Sequence, residues 1–365
     1  MAKKRGVAPN VPLSESDRDL ISFVRESGTR ATCFFNNKGG VGKTTLVANL
    51  AAELALNYQA KVLVVDADPQ CNLTQYVLGE KEAFKIYSEP NPEGVYTVIR
   101  PLSLGKGYGS HLPSRRSENF GFDIIVGDPR LALQEDLLAG DWRDAKGGGM
   151  RGIRTTFVFA DLVARAKDSE YDFIFFDMGP SLGAINRAIL LAMDFFVVPM
   201  SIDIFSVWAI KNIGATVGVW QKEILTGIKL AEDPQEIEGI ADNRNIRFLG
   251  YVTQQHKERS GYDKETREES GEEVKVKRKV QAYEDIGTHF PEQIADNLGN
   301  FYNSNVINPH LGDIRHLGSL APRSQSQHTP MISVAGTGSY TKLRKQAREI
   351  YRDIARRYLE NLRAS

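Results

Sequence analysis

The chain of 365 residues is 41% hydrophobic and 25% charged, which excludes a chain disordered throughout and is typical of a globular protein. Lysine plus arginine equals aspartate plus glutamate at 46 each, so binding to nucleic acid would need a local basic surface. No stretch approaches the roughly 18 apolar residues of a membrane-spanning helix. The small number of cysteines favours a reducing compartment. Together these features predict a cytoplasmic protein without membrane contact.

Residues 1–30 are predicted to form a basic tail and a short helix. Ser14 is a suitable N-cap, and Leu20, Ile21 and Val24 would lie on one side of the helix. The remainder, 31–365, is predicted to be a single α/β domain because short, continuous apolar runs recur between helical patterns. Such runs are typical of strands buried on both faces of a parallel sheet. The predicted strands are 31–35, 62–65, 122–126, 173–176, 195–198 and 247–252.

Two stretches interrupt this pattern and are interpreted as insertions. Residues 80–119 are rich in Pro, Gly and Ser and show little periodicity. Residues 257–285 begin with a run of basic and acidic side chains, which predicts a solvated surface loop or an arm that binds a partner or nucleic acid. The expected fold is therefore a doubly wound, mostly parallel sheet flanked by helices, with two insertions.

The C-terminal segment 340–362 is predicted to be a basic amphipathic helix. Leu343, Ile350, Ile354, Tyr358 and Leu362 recur at helical spacing, and arginines and lysines occupy the other face. We expect the apolar stripe to pack against the sheet, while contact with DNA or with a membrane surface remains the alternative.

The strongest motif is the run NNKGGVGKTT at residues 36–45, between a predicted strand and a predicted helix. Its glycines let backbone N–H groups turn inward around phosphate oxygens, and the helix N-terminus adds partial positive charge there. Lys43 is placed to bind the β- and γ-phosphates, Thr44 to ligate Mg²⁺, and Thr45 to donate to another phosphate oxygen. Asn37 replaces the usual first glycine, and asparagine tolerates left-handed backbone angles.

A second lysine, Lys38, has little to do for its own nucleotide because Lys43 already serves the phosphates. With this lysine, KGGVGKTT resembles the deviant phosphate loop of the ParA/MinD family, closest to the ParA-like DNA-partition ATPases. The resemblance implies an ATP-sandwich homodimer in which Lys38 reaches the partner's nucleotide. The predicted nucleotide-binding residues are Lys38, Gly39, Gly40, Val41, Gly42, Lys43, Thr44 and Thr45.

Two further strands end in carboxylates, where open α/β sheets bind their ligands. The run VVDADPQCNL at 64–73 carries Asp66 and Asp68, and the run DFIFFDMGPS at 172–181 carries Asp177. By the resemblance, Asp68 organises Mg²⁺ and the attacking water, Asp177 holds Mg²⁺ through water, and Asp66 supports the loop. The implied catalytic residues are Lys38, Lys43 and Asp68, and the implied metal ligands are Thr44, Asp68 and Asp177. Gly179 departs from the family, which usually has proline there.

The resemblance continues through about two thirds of the chain and implies a function. It predicts a Mg²⁺-dependent ATPase whose ATP-bound homodimer binds DNA nonspecifically, on the nucleoid, and is released when a ParB-like or other activating protein accelerates hydrolysis. Arg315 and Arg323 are the predicted DNA contacts. Two alternatives stay open: a nucleotide-gated module that recruits a protein effector and turns over slowly, and a small-molecule ligase of the same fold.

Overall fold

The computed structural model describes residues 12–109, 111–236, 245–254 and 278–365, with side chains from residue 287 onward in the last range. The predicted basic tail and most of the predicted charged insertion, at 257–277, lie outside these residues. In the described part of the chain, no helix is both long and apolar enough to cross a membrane.

The described residues form one eight-stranded sheet in the order β3-β4-β2-β5-β1-β6-β7-β8. Every neighbouring pair is parallel except β3 with β4. All six predicted strands are present, and two edge strands, β3 and β8, were not predicted. The strands are β1 Arg30–Phe34, β2 Val62–Ala67, β3 Ser114–Ser117, β4 Phe122–Ile125, β5 Phe173–Met178, β6 Phe195–Ser201, β7 Arg247–Gln254 and β8 His310–Ile314.

Helices cover both faces of the sheet, which confirms the doubly wound arrangement. The α-helices are α1 Glu15–Glu26, α2 Lys43–Leu56, α3 Asn72–Leu78, α4 Glu80–Tyr87, α5 Val95–Ser103, α6 Glu135–Lys146, α7 Met150–Thr156, α8 Val158–Asp168, α9 Ala184–Ala192, α10 Ile204–Leu230, α11 Arg278–Leu298, α12 Leu320–Ser326 and α13 Ser339–Ala364. Short 3-10 helices lie at Pro129–Gln134, Pro234–Glu236, Gly299–Phe301 and Met331–Ser333.

The core consists of two apolar layers, one on each face of the sheet. Side chains of β5 alternate between them: Ile174 and Phe176 face helices α5 to α11, whereas Phe173 and Phe175 face α1 to α4, α12 and α13. Successive side chains of a strand point to opposite faces, so a strand covered on both faces must be apolar throughout. This is why the central strands read as unbroken hydrophobic runs.

The C-terminal helix α13 packs its apolar stripe on the sheet, as expected. Ile354, Tyr358 and Leu362 are buried, and the Tyr358 hydroxyl lies 2.8 Å from the Thr32 hydroxyl on β1. Leu343 and Ile350 are partly buried against the same layer. The apolar face of α13 is therefore part of the core, whereas Lys342, Lys345 and Arg357 on the same helix are exposed.

The stretch 80–119 contains more regular structure than its sequence indicates. It forms α4, α5 and the polar edge strand β3, which pairs antiparallel with β4. Val95, Val98, Ile99 and Leu102 of α5 are buried against the sheet. The helical spacing of these four residues was obscured by the Pro- and Gly-rich sequence around them.

The N-terminal helix α1 is attached to the domain by a buried carboxylate, Asp17. Ser14 and Asp17 form a reciprocal capping box, and Asp17 accepts hydrogen bonds from Arg356 Nε at 2.9 Å and from the Tyr58 hydroxyl at 3.1 Å. Burial by itself would raise the pKa of Asp17, but the bonds from Arg356, Ser14 and Tyr58 outweigh burial and hold it below its usual value. One carboxylate thus joins α1 to the turn after α2 and to α13.

We expect Asp17→Ala to lower the free energy of unfolding by about 3 kcal/mol, because the substitution leaves Arg356 and Tyr58 without their partner in a buried network. Since the folded-state pKa is depressed, this stabilisation is present above about pH 4, the ordinary range of aspartate, and is lost as the pH falls further. Urea denaturation at neutral and acidic pH measures it. Asp19→Ala, two residues away and exposed, is the matched control and should change stability little; equal losses would contradict the role of Asp17.

Candidate nucleotide-binding site

The predicted site residues meet at the carboxyl edge of the central strands. The loop after β1 carries the glycine-rich motif, Asp68 follows β2, and Asp177 is the second-last residue of β5. Asp177 pairs in register with Phe34 of β1 on one side and with Asp66 of β2 on the other. Three separate motifs of the sequence therefore form one site.

The backbone of the loop has the conformation that a phosphate cradle requires. Gly40 and Gly42 have φ values of +73° and +72°, which favour glycine. A Cβ built on Gly39 or Gly40 meets no atom within 4 Å, so open space borders this part of the loop. Asn37 does not adopt the left-handed angles that its residue type allows. Gly42 is the N-cap of α2, and the half-buried Thr44 and Thr45 lie in the first turn of that helix.

The side chain of Lys43 is held inside the loop. Lys43 is 7% exposed, and its ammonium donates to the carbonyl oxygens of Asn36 at 3.0 Å and Lys38 at 3.2 Å. Burial lowers the pKa of Lys43, and the nearby carboxylates of Asp177 and Asp68 partly oppose that shift. The carbonyl groups of the loop thus fix the position of this cation.

Asp66 is held by hydrogen bonds to the start of α3. Its Oδ2 accepts hydrogen bonds from the Thr74 backbone N–H at 2.8 Å and the Thr74 hydroxyl at 2.7 Å. That hydroxyl in turn accepts from the Gly127 N–H at 2.8 Å. Burial raises the pKa of Asp66 to about 7. Asp66 therefore joins the ends of β2 and β4 to the start of α3.

Asp68 and Asp177 face the same space with different surroundings. Asp68 is 8% exposed, and its Oδ1 accepts from the Gln70 N–H at 3.0 Å. A Cβ built on Gly179 would lie 3.3 Å from that Oδ1, so the loop after β5 runs beside Asp68. Burial, together with the charges of Asp66 and Asp68, raises the pKa of Asp177 to about 8, while Thr44 and Lys43 oppose the shift.

These residues fit a divalent cation. Both carboxylate oxygens of Asp177 are buried and have no hydrogen-bond partner of good geometry among the described residues. Buried carboxylates are normally paired or bound to metal. Thr44 supplies a hydroxyl beside Asp177, and carboxylate and hydroxyl oxygens are the ligands that Mg²⁺ prefers.

Lys38 is oriented differently from Lys43. Its side chain is 29% exposed, and its ammonium contacts Asp203 at the start of α10. The Lys38 ammonium also lies 5.9 Å from the centre of the Phe205 ring. The Lys38 side chain therefore points out of its own loop, toward the first turn of α10.

Three contacts with this loop were not predicted. Asn36 is fully buried; its Nδ2 donates to the Pro199 carbonyl of β6 at 2.7 Å, and its Oδ1 accepts from the Lys38 N–H at 2.8 Å. From β7, Gln254 Nε2 donates to the Gly42 carbonyl at 3.0 Å. Asp203 is the third. The partners are 163 to 212 residues apart in sequence, and no motif connects them.

The predicted DNA-contacting residues lie apart from this cluster. Arg315 is exposed and lines a groove of about 500 Å³ between the end of β8 and α13. The Arg323 guanidinium lies 4.2 Å from the centre of the Tyr340 ring at the start of α13. Both arginines thus flank the N-terminal half of α13.

The chain matches the family model described as an AAA domain over residues 29–230, more than half of its length, including the loop and all three carboxylates. The same region resembles a probable plasmid-partitioning protein ParA of Thermus thermophilus, with 33% identity over 200 residues. The chain belongs to the ParA/MinD family of P-loop ATPases. The Thermus match covers 54% of this chain and 51% of the relative, so the chain spans about half the length of that ParA protein.

Solved structures support the same fold. A Corynebacterium diphtheriae protein, DIP2308, is 31% identical and has a TM-score of 0.63, with coverage of 82% of this chain and 97% of that one. A complex of a Cyanothece McdA variant with ATP has a TM-score of 0.57 at 16% identity, with coverage of 89% and 96%. At that identity the second match concerns the ParA/MinD fold alone.

Proposed function

We propose that this protein is a Mg²⁺-dependent ATPase that closes into a homodimer around ATP, binds DNA nonspecifically in that state, and hydrolyses ATP to drive DNA partition or cargo positioning. A ParB-like or other partner would accelerate hydrolysis and release the DNA. The observation that carries the proposal is the different orientation of two lysines. Lys43 is buried in its own loop, and Lys38 points out of it.

The site residues divide the proposed reaction among them. Lys43 and the N–H groups at the start of α2 would bind the phosphates, and Thr44, Asp68 and Asp177 would hold Mg²⁺, which supplies charge neutralisation at the phosphate oxygens. Asp68 is more exposed than Asp177 and is fixed by the Gln70 N–H, so it is suited to orient an attacking water. The ATP-bound Cyanothece structure supports nucleotide binding in this fold.

The proposed DNA surface is the basic face around the N-terminal half of α13. Arg315 and Arg323 flank this helix, and Lys342 and Lys345 are exposed on it. Sequence-independent binding needs only cations that reach phosphates, so a chain without net charge can bind DNA through such a patch. The resemblance to the probable plasmid-partitioning protein of Thermus thermophilus supports partition as the role of this ATPase.

The test is binding to random-sequence duplex DNA with ATP, ADP or no nucleotide. We expect binding only with ATP, and a loss of affinity of at least about tenfold between about 50 and 200 mM salt, because each neutralised phosphate releases counterions. Lys38→Ala should abolish the ATP dependence by preventing dimer closure. Light scattering on the same samples reports the dimer.

Matched substitutions locate the surface. Arg315→Ala and Lys342→Ala should each weaken ATP-dependent binding and reduce its salt dependence. Lys106→Ala removes an exposed lysine after α5, on the opposite face of the sheet, and should leave binding unchanged. If ATP drives dimerisation while DNA is ignored in every nucleotide state, the partition function is wrong and a module that recruits a protein effector replaces it.

A further inference from the structure

The contact between Lys38 and Asp203 joins the phosphate loop to the first turn of α10. The two residues are 165 positions apart in sequence, and their side chains are 29% and 25% exposed. An ion pair with this exposure is weak and is screened by salt. The pair can therefore hold Lys38 in place and still be released when a stronger anionic partner is available.

The two carboxylate oxygens of Asp203 make different contacts. Oδ1 accepts a hydrogen bond from the Ser206 N–H at 3.1 Å and so caps the N-terminus of α10. Oδ2 contacts the Lys38 ammonium. Because the cap needs one oxygen and no charge, a helix cap alone would be served equally well by asparagine or serine. The contact with Lys38 uses the charge of the carboxylate.

The surface next to this ion pair is apolar. Ile204, Phe205 and Trp208 are 52%, 68% and 59% exposed on the first turns of α10, and the Lys38 ammonium lies near the Phe205 ring. Large apolar side chains this exposed and this close together are typical of surfaces that another protein covers. A protein that covered this turn of α10 would therefore lie directly beside the ion pair between Lys38 and Asp203.

We propose that Asp203 is a positioning residue that holds Lys38 against its own chain and so restrains closure of the ATP dimer. The inference rests on the proposed dimer, because Lys38 is the lysine that would reach the phosphates bound to the second copy. Asp203 is its partner within the same chain. On closure, Lys38 exchanges the carboxylate of Asp203 for phosphate oxygens. Asp203 therefore sets how much ATP is needed to close the dimer.

Asp203→Asn separates the two jobs of this side chain. Its single amide oxygen is taken by the Ser206 N–H, which leaves the NH₂ group facing Lys38 and removes the attraction. Asparagine is as good an N-cap as aspartate, so the thermal midpoint should not change. Asp203→Ala removes the cap as well and should lower the midpoint, which distinguishes the two roles.

The first measurement is the acylation rate of Lys38 by an N-hydroxysuccinimide ester in the nucleotide-free protein, read by peptide mass spectrometry against the exposed Lys106. Asp203→Asn should raise this rate about two- to fivefold, the size expected when a partly exposed ion pair is lost. The difference should shrink at high salt. An unchanged rate at low salt would overturn the proposal, and this arm does not depend on whether the protein dimerises.

The second measurement is the ATP concentration that gives half-maximal dimer, from light scattering. Asp203→Asn should lower it about two- to fivefold, and the double variant with Lys38→Ala should show no such gain over Lys38→Ala alone. If Asp203→Asn still lowers the ATP concentration for half-maximal dimer in the Lys38→Ala background, Asp203 does not act through Lys38. If the wild-type protein stays monomeric with ATP, the proposed dimer is wrong, while the acylation rate still decides whether Asp203 restrains Lys38.

Discussion

Lys43→Ala is expected to weaken MgATP binding by at least about 100-fold and to reduce phosphate release to background. The ammonium is already fixed between two backbone carbonyls, so the folded loop presents it to phosphates without reorganisation. Charge-assisted bonds to phosphate are the strong ones, and this lysine supplies the only side-chain cation that the structure places inside the described loop. Calorimetric titration with MgATP and an assay of released phosphate measure both effects.

The same substitution should not destabilise the protein. Burial lowers the pKa of Lys43, which means that the folded state bears a cost for keeping the ammonium charged. The thermal midpoint of Lys43→Ala should therefore equal or exceed that of the wild type. Lys61→Ala, which removes an exposed lysine at the opposite edge of the sheet, is the matched control and should leave ATP affinity unchanged. Retention of ATP affinity within about threefold in Lys43→Ala would contradict the assigned site.

The central part of the fold was predictable because its strands are covered on both faces. Burial on both sides forces continuous apolar sequence, and each such run in the sequence became a strand of the sheet. The edge strands carry no such constraint. β3 has the sequence SRRS, and β8 contains Gly312 and Asp313, so neither shows the apolar run or the alternation that identifies a strand.

The nucleotide site was predictable to the extent that its residues are close together in sequence. The glycines, Lys43 and the threonines form one motif, and Asp66, Asp68 and Asp177 each follow an apolar run, so adjacency of the strands places them together. Asn36, Asp203 and Gln254 could not be found in this way. Asn36 lies within the motif, but its partner Pro199 and the other two residues belong to strands and helices far along the chain, and only the folded sheet shows which of them approach the loop.

The local backbone explains why Asp68 and Asp66, two residues apart, are expected to differ in effect. Asp66 is fully buried and bonded to Thr74, so its removal would disturb the start of α3. The Asp68 side chain bonds only to the Gln70 N–H among the described contacts, through Oδ1, and it lies beside Gly179. A substitution at Asp68 therefore tests chemistry rather than folding.

Asp68→Asn is expected to leave the dissociation constant for MgATP within about threefold and to lower the rate of hydrolysis by about 100-fold or more, the range typical of losing a positioned acid or base. Asparagine keeps an oxygen for the Gln70 N–H, so the loop conformation is preserved while the charge is removed. Single-turnover hydrolysis and equilibrium ATP binding separate the two quantities. If Asp68→Asn hydrolyses ATP normally and only Asp68→Ala loses hydrolysis, Asp68 serves the loop conformation and another group must orient the water. If both variants bind ATP but do not hydrolyse it, Asp68 acts in the chemical step.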